Sequence, residues 1–313
     1  IMPLFPRVHT VSTSRWCYIV PNYAGRSGVN GLRELVDPLL GLCHRAGEAI
    51  CEHYYSLQAG EYEAKGDDSP LTLADLASHH ILQRGLAEID SSLPLLSEES
   101  PQRDLAKRRS WSRFWLVDPL DGTKEFLGRT GEFTINVALI DNARPVLGLL
   151  YLPLEGRAYV GIPGVLAQRQ RRLSTGAWEC NDLHARKLQA GSPLGVHVSR
   201  RHRGGALQQC LNWLQAEWGA IDRQNSGSAL KFCRLAEGAG DFYPRFSPCC
   251  EWDTAAGQAV LEAAGGVLLG LDGVPLRYNC SDTLYSPPFY AIADVSNAIW
   301  ANMLEEGVRA DWG

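Results

Sequence analysis

The clearest pattern in this chain is Trp115-Leu116-Val117-Asp118-Pro119-Leu120-Asp121-Gly122-Thr123, in which an apolar run meets two aspartates. The run predicts a short buried strand that stops abruptly at Asp118-Pro119. Pro119 and the following Gly-Thr make a rigid turn, so both carboxylates can point at one spot beside the Leu120 carbonyl. Hard divalent cations such as Mg²⁺ prefer this set of oxygen ligands. The alternative is a tight β-turn whose acids are solvated.

Three more acidic residues strengthen the metal hypothesis. Glu98 follows an apolar run, which predicts the inward-facing end of a strand; the alternative is an acid in a surface loop. Asp253 follows Trp252 and opens a helix, where it is alternatively an ordinary N-cap. Asp75 lies in Thr72-Leu73-Ala74-Asp75, which has the form of a capping box. Its carboxylate can serve both the helix start and an active site there.

Convergence of these acids would have an electrostatic consequence. Several carboxylates within a few ångströms cannot all stay ionised without cations, and roughly two or three Mg²⁺ ions would neutralise them. A phosphate ester is then the natural substrate, because metal ions bridge its oxygens and an attacking water. The sequence has no nucleophile elbow and no P-loop, which favours direct attack by water over a covalent intermediate.

Composition limits the classes of protein. The chain has 313 residues, of which 45% are hydrophobic and 21% charged, as expected for a globular protein. Its formal net charge of -5 argues against nucleic-acid binding through a basic surface. We find no apolar run that could span a bilayer, so the expected location is the cytoplasm. The nine cysteines include no CxxC pair, which favours buried, reduced thiols. His79 and His80 lie within a predicted helix, and a metal role is disfavoured for them.

Helices and strands alternate along the chain, which predicts a mixed α/β fold with partly antiparallel sheets. We expect a disordered leader over 1–31, an N-terminal α+β part over 32–190 and a C-terminal α/β part over 191–313. The polar and basic stretch 164–195 marks the seam, and 103–113 is a solvated loop or short helix. Helices are predicted at about 32–57, 72–90, 205–218, 228–238, 254–264 and 295–306. Strands are predicted at 114–117, 133–139, 146–152, 157–162, 195–199 and 289–293, with a hairpin of 267–271 and 275–278 around Asp272-Gly273.

The order of these motifs resembles the lithium-sensitive, Mg²⁺-dependent phosphomonoesterase superfamily, which includes inositol monophosphatases and fructose-1,6-bisphosphatases. The resemblance covers about residues 34–295. The residues of several sequence blocks are similar to those of one branch, the bacterial CysQ-type 3′(2′),5′-bisphosphate nucleotidases. These blocks are Ser97-Glu98-Glu99, residues 115–126, Gly131-Glu132-Phe133-Thr134, residues 228–233 and 243–246, and Trp252-Asp253 with eleven residues before Gly265-Gly266.

The resemblance implies a layered αβαβα sandwich and a set of metal ligands. Glu98, Asp118 and the Leu120 carbonyl would hold one Mg²⁺, and Asp118, Asp121 and Asp253 a second. A third, weaker ion would lie near Glu98 and the Asp75 carboxylate.

The same resemblance implies the reaction. Thr123, hydrogen-bonded to Asp75, would orient and help deprotonate the attacking water, so Asp75, Glu98 and Thr123 are the catalytic candidates. The Gly122 and Thr123 amides would hold the phosphate. The implied substrate is adenosine 3′,5′-bisphosphate, cleaved to AMP and phosphate, or 3′-phosphoadenylyl sulfate, with a role in sulfur assimilation. The substrate-binding candidates are Glu98, Leu120, Asp121, Gly122, Thr123, His202, Ser228, Lys231, Arg245 and Asp253.

Two alternatives stay open at this point. An inositol monophosphatase or sugar bisphosphatase would share the acids and differ over about 195–250. A non-catalytic sensor of phosphonucleotides or metals would not need the water-activating pair of Thr123 and Asp75. The sequence leaves open the oligomeric state, the preference between 2′- and 3′-phosphates, the role of the leader, regulation through the thiols and a peripheral association with a membrane.

Overall fold

The computed structural model of this chain describes residues 31–56, 63–64, 70–101, 107–201, 204–310 and 312. The predicted leader therefore lies outside the described residues, apart from its last position. After a helical turn at 31–34, the helices are α1 (Val36–Ser56), α2 (Leu73–Ile89), α3 (Thr123–Leu127), α4 (Gly205–Trp218), α5 (Leu230–Ala236), α6 (Glu251–Ala263) and α7 (Ala298–Arg309). Single 3₁₀ turns lie at Arg108–Ser110 and Pro153–Glu155. In the part of the chain that the structure describes, no helix is both long and apolar enough to cross a bilayer.

The larger sheet has seven strands in the order β3-β4-β5-β6-β7-β8-β9. Strand β3 runs parallel to β4, and every later neighbour is antiparallel. The strands are β3 (Leu95–Ser97), β4 (Arg113–Asp121), β5 (Thr134–Asp141), β6 (Arg144–Leu152), β7 (Arg157–Ile162), β8 (Leu166–Arg172) and β9 (Trp178–Asp182). A separate two-stranded ribbon pairs β1 (Glu63–Ala64) with β2 (Pro70–Leu71).

The smaller sheet has five strands in the order β11-β10-β12-β16-β14. Strand β10 is parallel to both β11 and β12, whereas β16 is antiparallel to its two neighbours. The strands are β10 (Leu194–Ser199), β11 (Ile221–Ser226), β12 (Phe242–Arg245), β14 (Val267–Gly270) and β16 (Phe289–Ile292). A short ribbon of β13 (Cys249–Cys250) and β15 (Tyr285–Ser286) leads into helix α6.

Three apolar clusters stack these elements into layers. Helices α1 and α2 cover one face of the larger sheet. Helices α5 and α6 fill the space between the two sheets, and α4 and α7 cover the far face of the smaller sheet. Residues of β5 show the alternation directly, since Val137 faces the outer helices and Ala138 faces the central ones. The αβαβα sandwich that the resemblance implies is confirmed.

Two glycines let helix α6 lie against the larger sheet. Gly148 and Gly161 pair across β6 and β7. A Cβ on Gly148 would lie 2.4 Å from the Ala256 carbonyl oxygen, and one on Gly161 would lie 2.4 Å from the Val260 Cα. The backbone of α6 therefore contacts the backbone of the sheet, at a separation that only glycine permits. Asp253, a candidate metal ligand, lies in the first turn of α6. The contact between α6 and the sheet therefore fixes the distance of Asp253 from the sheet.

Most predicted helices and strands are confirmed, one predicted strand is absent, and two strands that were not predicted lie in the stretch 164–195. The hairpin at Asp272-Gly273 has only one bridge, Leu269 to Pro275, so its second strand, 275–278, is absent. The stretch 164–195 contains β8 and β9, which continue the larger sheet, so only its end connects the two sheets. These two strands are partly exposed and polar, which removes the apolar alternation that would have revealed them. The described cysteines are free thiols, and four of them are buried.

The glycine contact predicts a specific loss of stability. Gly161→Ala places a methyl group against the α6 backbone, which cannot yield as a side chain would, so the free energy of unfolding should fall by at least about 2 kcal/mol. Gly41→Ala, inside α1, meets only the Arg45 guanidinium at 3.7 Å and should be neutral or slightly stabilising. Urea unfolding of both variants measures the difference. Equal stability of the two variants would contradict the packing described here.

Candidate active site

A bulge at the end of β4 creates the site. Asp118 pairs with Asn136 and Asp121 pairs with Thr134, with a shift of register between them. The strand thus continues to Asp121, and the predicted stop at Pro119 is wrong. Pro119 has no N–H for the ladder, so the strand bulges there instead of ending. The bulge turns both carboxylates to one place, as the sequence pattern predicts.

Asp121 is held by donors from two parts of the chain. Its Oδ2 accepts hydrogen bonds from the Ala229 N–H at 2.6 Å and from Asn136 Nδ2 at 3.2 Å. Asn136 Nδ2 also lies 3.4 Å from the Trp252 carbonyl oxygen, and Asn136 Oδ1 accepts from Thr134 Oγ1 at 2.7 Å. Asn136 is buried and joins β4 to the start of α6. Sequence analysis missed it, although it pairs with Asp118 in the neighbouring strand.

Asp253 lies in the first turn of α6, but not at its N-cap. The N-cap is Cys250, whose N–H donates to Asp253 Oδ2 at 3.0 Å. The simple N-cap alternative for Asp253 is therefore wrong, and its carboxylate closes a capping box with one oxygen. Carboxylate oxygens of Asp118, Asp121 and Asp253 all lie within 4.8 Å of one another.

Burial and mutual repulsion shape the electrostatics of this cluster. Burial raises the pKa of Asp118 well above its usual value, and Glu98, Asp121 and Asp253 raise it further. The pKa of Asp253 rises to about 7, mainly through burial and then through the charge of Asp121. Burial also raises the pKa of Asp121, against the opposing effect of Lys231. A divalent cation would relieve this repulsion, and carboxylate oxygens suit a hard ion.

Asp75 joins a second helix to the same site. Its Oδ2 accepts from the Thr72 N–H at 2.8 Å and from Thr72 Oγ1 at 2.5 Å, which caps α2. Its Oδ1 accepts from Thr123 Oγ1 at 3.2 Å. The same Thr123 hydroxyl lies 3.3 Å from the Leu120 carbonyl oxygen. The Thr123–Asp75 hydrogen bond that the resemblance implies is present, so one oxygen of Asp75 caps α2 and the other accepts from Thr123.

Glu98 lies just beyond β3, where its N–H donates to the Val117 carbonyl at 3.1 Å. The predicted strand end is confirmed, and Glu98 lines the same cavity as Asp118. Ser97, directly before it, contacts His79 Nδ1 at 3.0 Å through its hydroxyl. His79 is therefore a support for this strand end, which its position in a helical pattern did not indicate.

Gly122 shapes the turn between β4 and α3. Its φ of +96° lies in the left-handed region that favours glycine. A Cβ there would also lie 3.0 Å from the Glu132 carbonyl oxygen. The motif therefore needs glycine before Thr123 for two reasons. The turn requires its positive φ, and the segment just before β5 approaches it closely.

A cavity of about 840 Å³ opens above the acids. Glu98, Leu120, Gly122 and Thr123 line it, as do Ser228, Lys231 and Arg245, together with the three clustered aspartates. The structure thus brings every substrate-binding candidate but one to a single cavity. His202, the exception, lies outside the described residues.

Two residues that were expected to contact phosphate, Lys231 and Arg245, also donate hydrogen bonds to backbone carbonyls of the protein. Lys231 is buried, and its Nζ donates to the carbonyls of Ser226 at 3.2 Å and Ser228 at 2.6 Å. These bonds hold Ser228 at a φ of +42°. Arg245 donates to the carbonyls of Ser247 at 3.3 Å and Pro248 at 3.0 Å. Both cations line the cavity but are already engaged by the protein's own oxygens.

Comparison with known proteins gives a consistent result. Residues 32–302 match the sequence model of the inositol monophosphatase family. The 3′(2′),5′-bisphosphate nucleotidase CysQ of Escherichia coli (strain K12) is 39% identical over 257 residues, which cover 82% of this chain and 98% of that protein. The crystal structure of CysQ from Bacteroides thetaiotaomicron superposes with a TM-score of 0.69 at 33% identity, covering 87% of this chain and 98% of that one. The inositol monophosphatase of Thermotoga maritima, at 17% identity and a TM-score of 0.70 over 90% of this chain and all of its own, shows the shared fold.

The Asn136 contacts predict a defect in cation binding. Asn136→Ala removes a donor to Asp121 and the link to Trp252, so affinity for a divalent cation should fall about 10- to 100-fold. Calorimetric titration with Mn²⁺ measures this affinity. Asn212→Ala, at an exposed position of α4, is the matched control and should bind the cation normally. An Asn136→Ala protein with unchanged affinity would show that this link does not orient Asp121.

Proposed function

The chain belongs to the inositol monophosphatase family, and we propose that it is a Mg²⁺-dependent phosphomonoesterase acting on adenosine 3′,5′-bisphosphate. The observation that carries the proposal is that one cavity is lined by both the aspartate cluster and Thr123, whose hydroxyl donates to the buried Asp75. A non-catalytic sensor would need the acids but not a hydroxyl poised on a buried carboxylate. The 39% identity to a 3′(2′),5′-bisphosphate nucleotidase supports the nucleotide substrate.

The metal ligands are part of the proposal. Glu98, Asp118, Asp121, Asp253 and the Leu120 carbonyl would hold Mg²⁺, with Asp75 close to a third ion. When bound, Mg²⁺ lowers the pKa of coordinated water and neutralises charge on the phosphate. The fit rests on the donor set, since the clustered groups are hard oxygens and the cluster contains no thiol or imidazole.

Thr123 and Asp75 would handle the proton of the attacking water. Thr123 Oγ1 donates its hydrogen to Asp75 Oδ1, so a lone pair of the hydroxyl is left to accept a hydrogen bond from water. The water is thereby oriented, and Asp75 is the final acceptor of the proton relayed through Thr123. Because Asp75 Oδ2 is fixed by Thr72, the accepting oxygen cannot turn away from the threonine.

The phosphate would lie over the turn that Gly122 makes. Backbone amides of Gly122 and Thr123 would face its oxygens, and the positive end of α6 would add a favourable field. Attack on the 3′-phosphorus forms the new oxygen–phosphorus bond and breaks the bond to O3′. That oxygen takes up a proton from water and leaves as the 3′-hydroxyl of AMP. A cytoplasmic location, which the sequence analysis predicted, and a role in sulfur metabolism, which the resemblance implies, belong to the same proposal.

A substrate panel tests the assignment. With Mg²⁺ present, the protein should release phosphate from adenosine 3′,5′-bisphosphate faster than from inositol 1-phosphate or fructose 1,6-bisphosphate. Removal of Mg²⁺ with EDTA should abolish the activity, and Mg²⁺ should restore it. Activity confined to the inositol ester would overturn the choice of substrate. Absence of activity on every ester would favour the sensor.

Asp121→Asn tests the ligand assignment. It removes one charge from the cluster while keeping the shape, and several kcal/mol of charge stabilisation correspond to a loss of turnover on the order of a thousandfold. Steady-state phosphate release measures the loss. Asp222→Asn, on the exposed edge strand β11, makes the same change of charge away from the cavity and should be active. Near-normal turnover of Asp121→Asn would refute the metal assignment.

A further inference from the structure

We propose that Glu132 is a positioning residue, which orients the Asp121 carboxylate through the turn at 227–229. The inference rests on the proposed function, in which Asp121 holds Mg²⁺, and extends it to an acid outside the cavity. Glu132 belongs to the block Gly131-Glu132-Phe133-Thr134, which stands out in the sequence but has no part in the reaction described above. It lies two residues before Thr134, the partner of Asp121 in the larger sheet.

The turn at 227–229 joins strand β11 to helix α5 and supplies a donor to Asp121. The Ala229 N–H donates to Asp121 Oδ2 at 2.6 Å, a shorter contact than that of the Asn136 amide at 3.2 Å. At the centre of the turn, Ser228 has a φ of +42°, a left-handed conformation that costs energy in a residue other than glycine. Such a conformation persists only where the surrounding contacts determine it. The direction of the Ala229 N–H therefore depends on what holds the turn.

The first peptide group of this turn, Ser226–Gly227, is held at both ends. Its carbonyl accepts a hydrogen bond from Lys231 Nζ at 3.2 Å, and its N–H donates to Glu132 Oε2 at 2.8 Å. A Cβ on Gly227 would lie 2.9 Å from the Glu132 carbonyl oxygen, so the two backbones also approach closely. Because its carbonyl and its N–H are both engaged, the plane of this peptide group is fixed.

The second peptide group, Ser228–Ala229, is held in the same way. Its carbonyl accepts from Lys231 Nζ at 2.6 Å, and its N–H donates to Asp121 Oδ2. One buried ammonium thus bridges the two peptide carbonyls, and each peptide N–H points to a carboxylate. Without Glu132, only Lys231 would hold the first peptide group. The turn would then be free to rotate the Ala229 N–H away from Asp121.

Glu132 is itself held in one orientation by Arg200. The Arg200 Nη2 donates to both carboxylate oxygens of Glu132, at 2.8 and 2.9 Å. Glu132 is not among the residues that line the cavity, whereas Gly227 and Lys231 are. An effect of Glu132 on the clustered acids must therefore pass through the turn or act through space by its charge. These two routes predict different results for a substitution that keeps the charge and one that keeps the contact.

Two substitutions of Glu132 separate position from charge. Glu132→Asp keeps the charge but withdraws the carboxylate by one methylene group, which breaks the contact with the first peptide group. Glu132→Gln loses the charge but keeps an acceptor oxygen at the same distance. In EDTA, Glu132→Asp should speed amide hydrogen exchange of Gly227 and Ala229 about tenfold, and Glu132→Gln less than about threefold, as measured by NMR on the full chain. Glu155→Gln, which neutralises another acid paired with an arginine at 2.8 Å, is the control and should leave both rates unchanged.

Calorimetric titration with Mn²⁺ measures whether the turn affects the acids. Glu132→Asp should weaken cation binding about tenfold, as expected for the loss of a contact that orients a metal ligand, and Glu132→Gln less than about threefold. Wild-type exchange rates or wild-type affinity in Glu132→Asp would overturn the inference. A loss in Glu132→Gln as large as that in Glu132→Asp would also overturn it, since charge alone would then explain the effect. Neither measurement requires hydrolysis of an ester, so a failure of the proposed function and a failure of this inference are distinguishable.

Discussion

The repulsion among buried carboxylates is the constraint on which this site depends. Three acids share a space in which their oxygens lie within 4.8 Å, and burial strengthens their repulsion. In this fold, a backbone N–H donates a hydrogen bond to one oxygen of each acid and fixes its orientation. Asp118 Oδ1 accepts from the Leu120 N–H, Asp121 Oδ2 from the Ala229 N–H, and Asp253 Oδ2 from the Cys250 N–H. Each carboxylate is thereby oriented by an uncharged group, so much of its negative charge is left for the cations that the proposed chemistry needs.

Asp75 follows the same rule, with one oxygen on Thr72 and the other on Thr123. Two helix starts therefore supply acids to the site, since Asp75 and Asp253 both close capping boxes. A capping box ordinarily satisfies the free N–H groups at the start of a helix. Here it also fixes the position of each carboxylate. The stability of each helix start and the geometry of the site therefore depend on the same residues. A change at either cap would disturb both.

The sequence predicted the acids better than their surroundings. Motif order identified Asp75, Glu98, Asp118, Asp121 and Asp253, because charged groups next to apolar runs stand out in a sequence. The bulge at Pro119 was not predictable, since proline also stops strands and only the pairing of β5 decides between the two. Strands β9 and β11 were missed because most of their residues are exposed and lack apolar alternation. The buried state of Lys231 depends on the loop of Ser226 and Ser228, which no local pattern reveals.

The arrangement of charge in the cavity bears on how selectivity arises within this fold. The acidic end and its Thr123–Asp75 pair could act on any phosphomonoester, because they contact only the reacting group. Lys231 donates two of its three N–H groups to the Ser228 loop, and Arg245 donates three of its five to nearby oxygens, so both shape the cavity and retain donors. Discrimination between one phosphate and two must then come from cationic side chains on the cavity wall outside the acidic end.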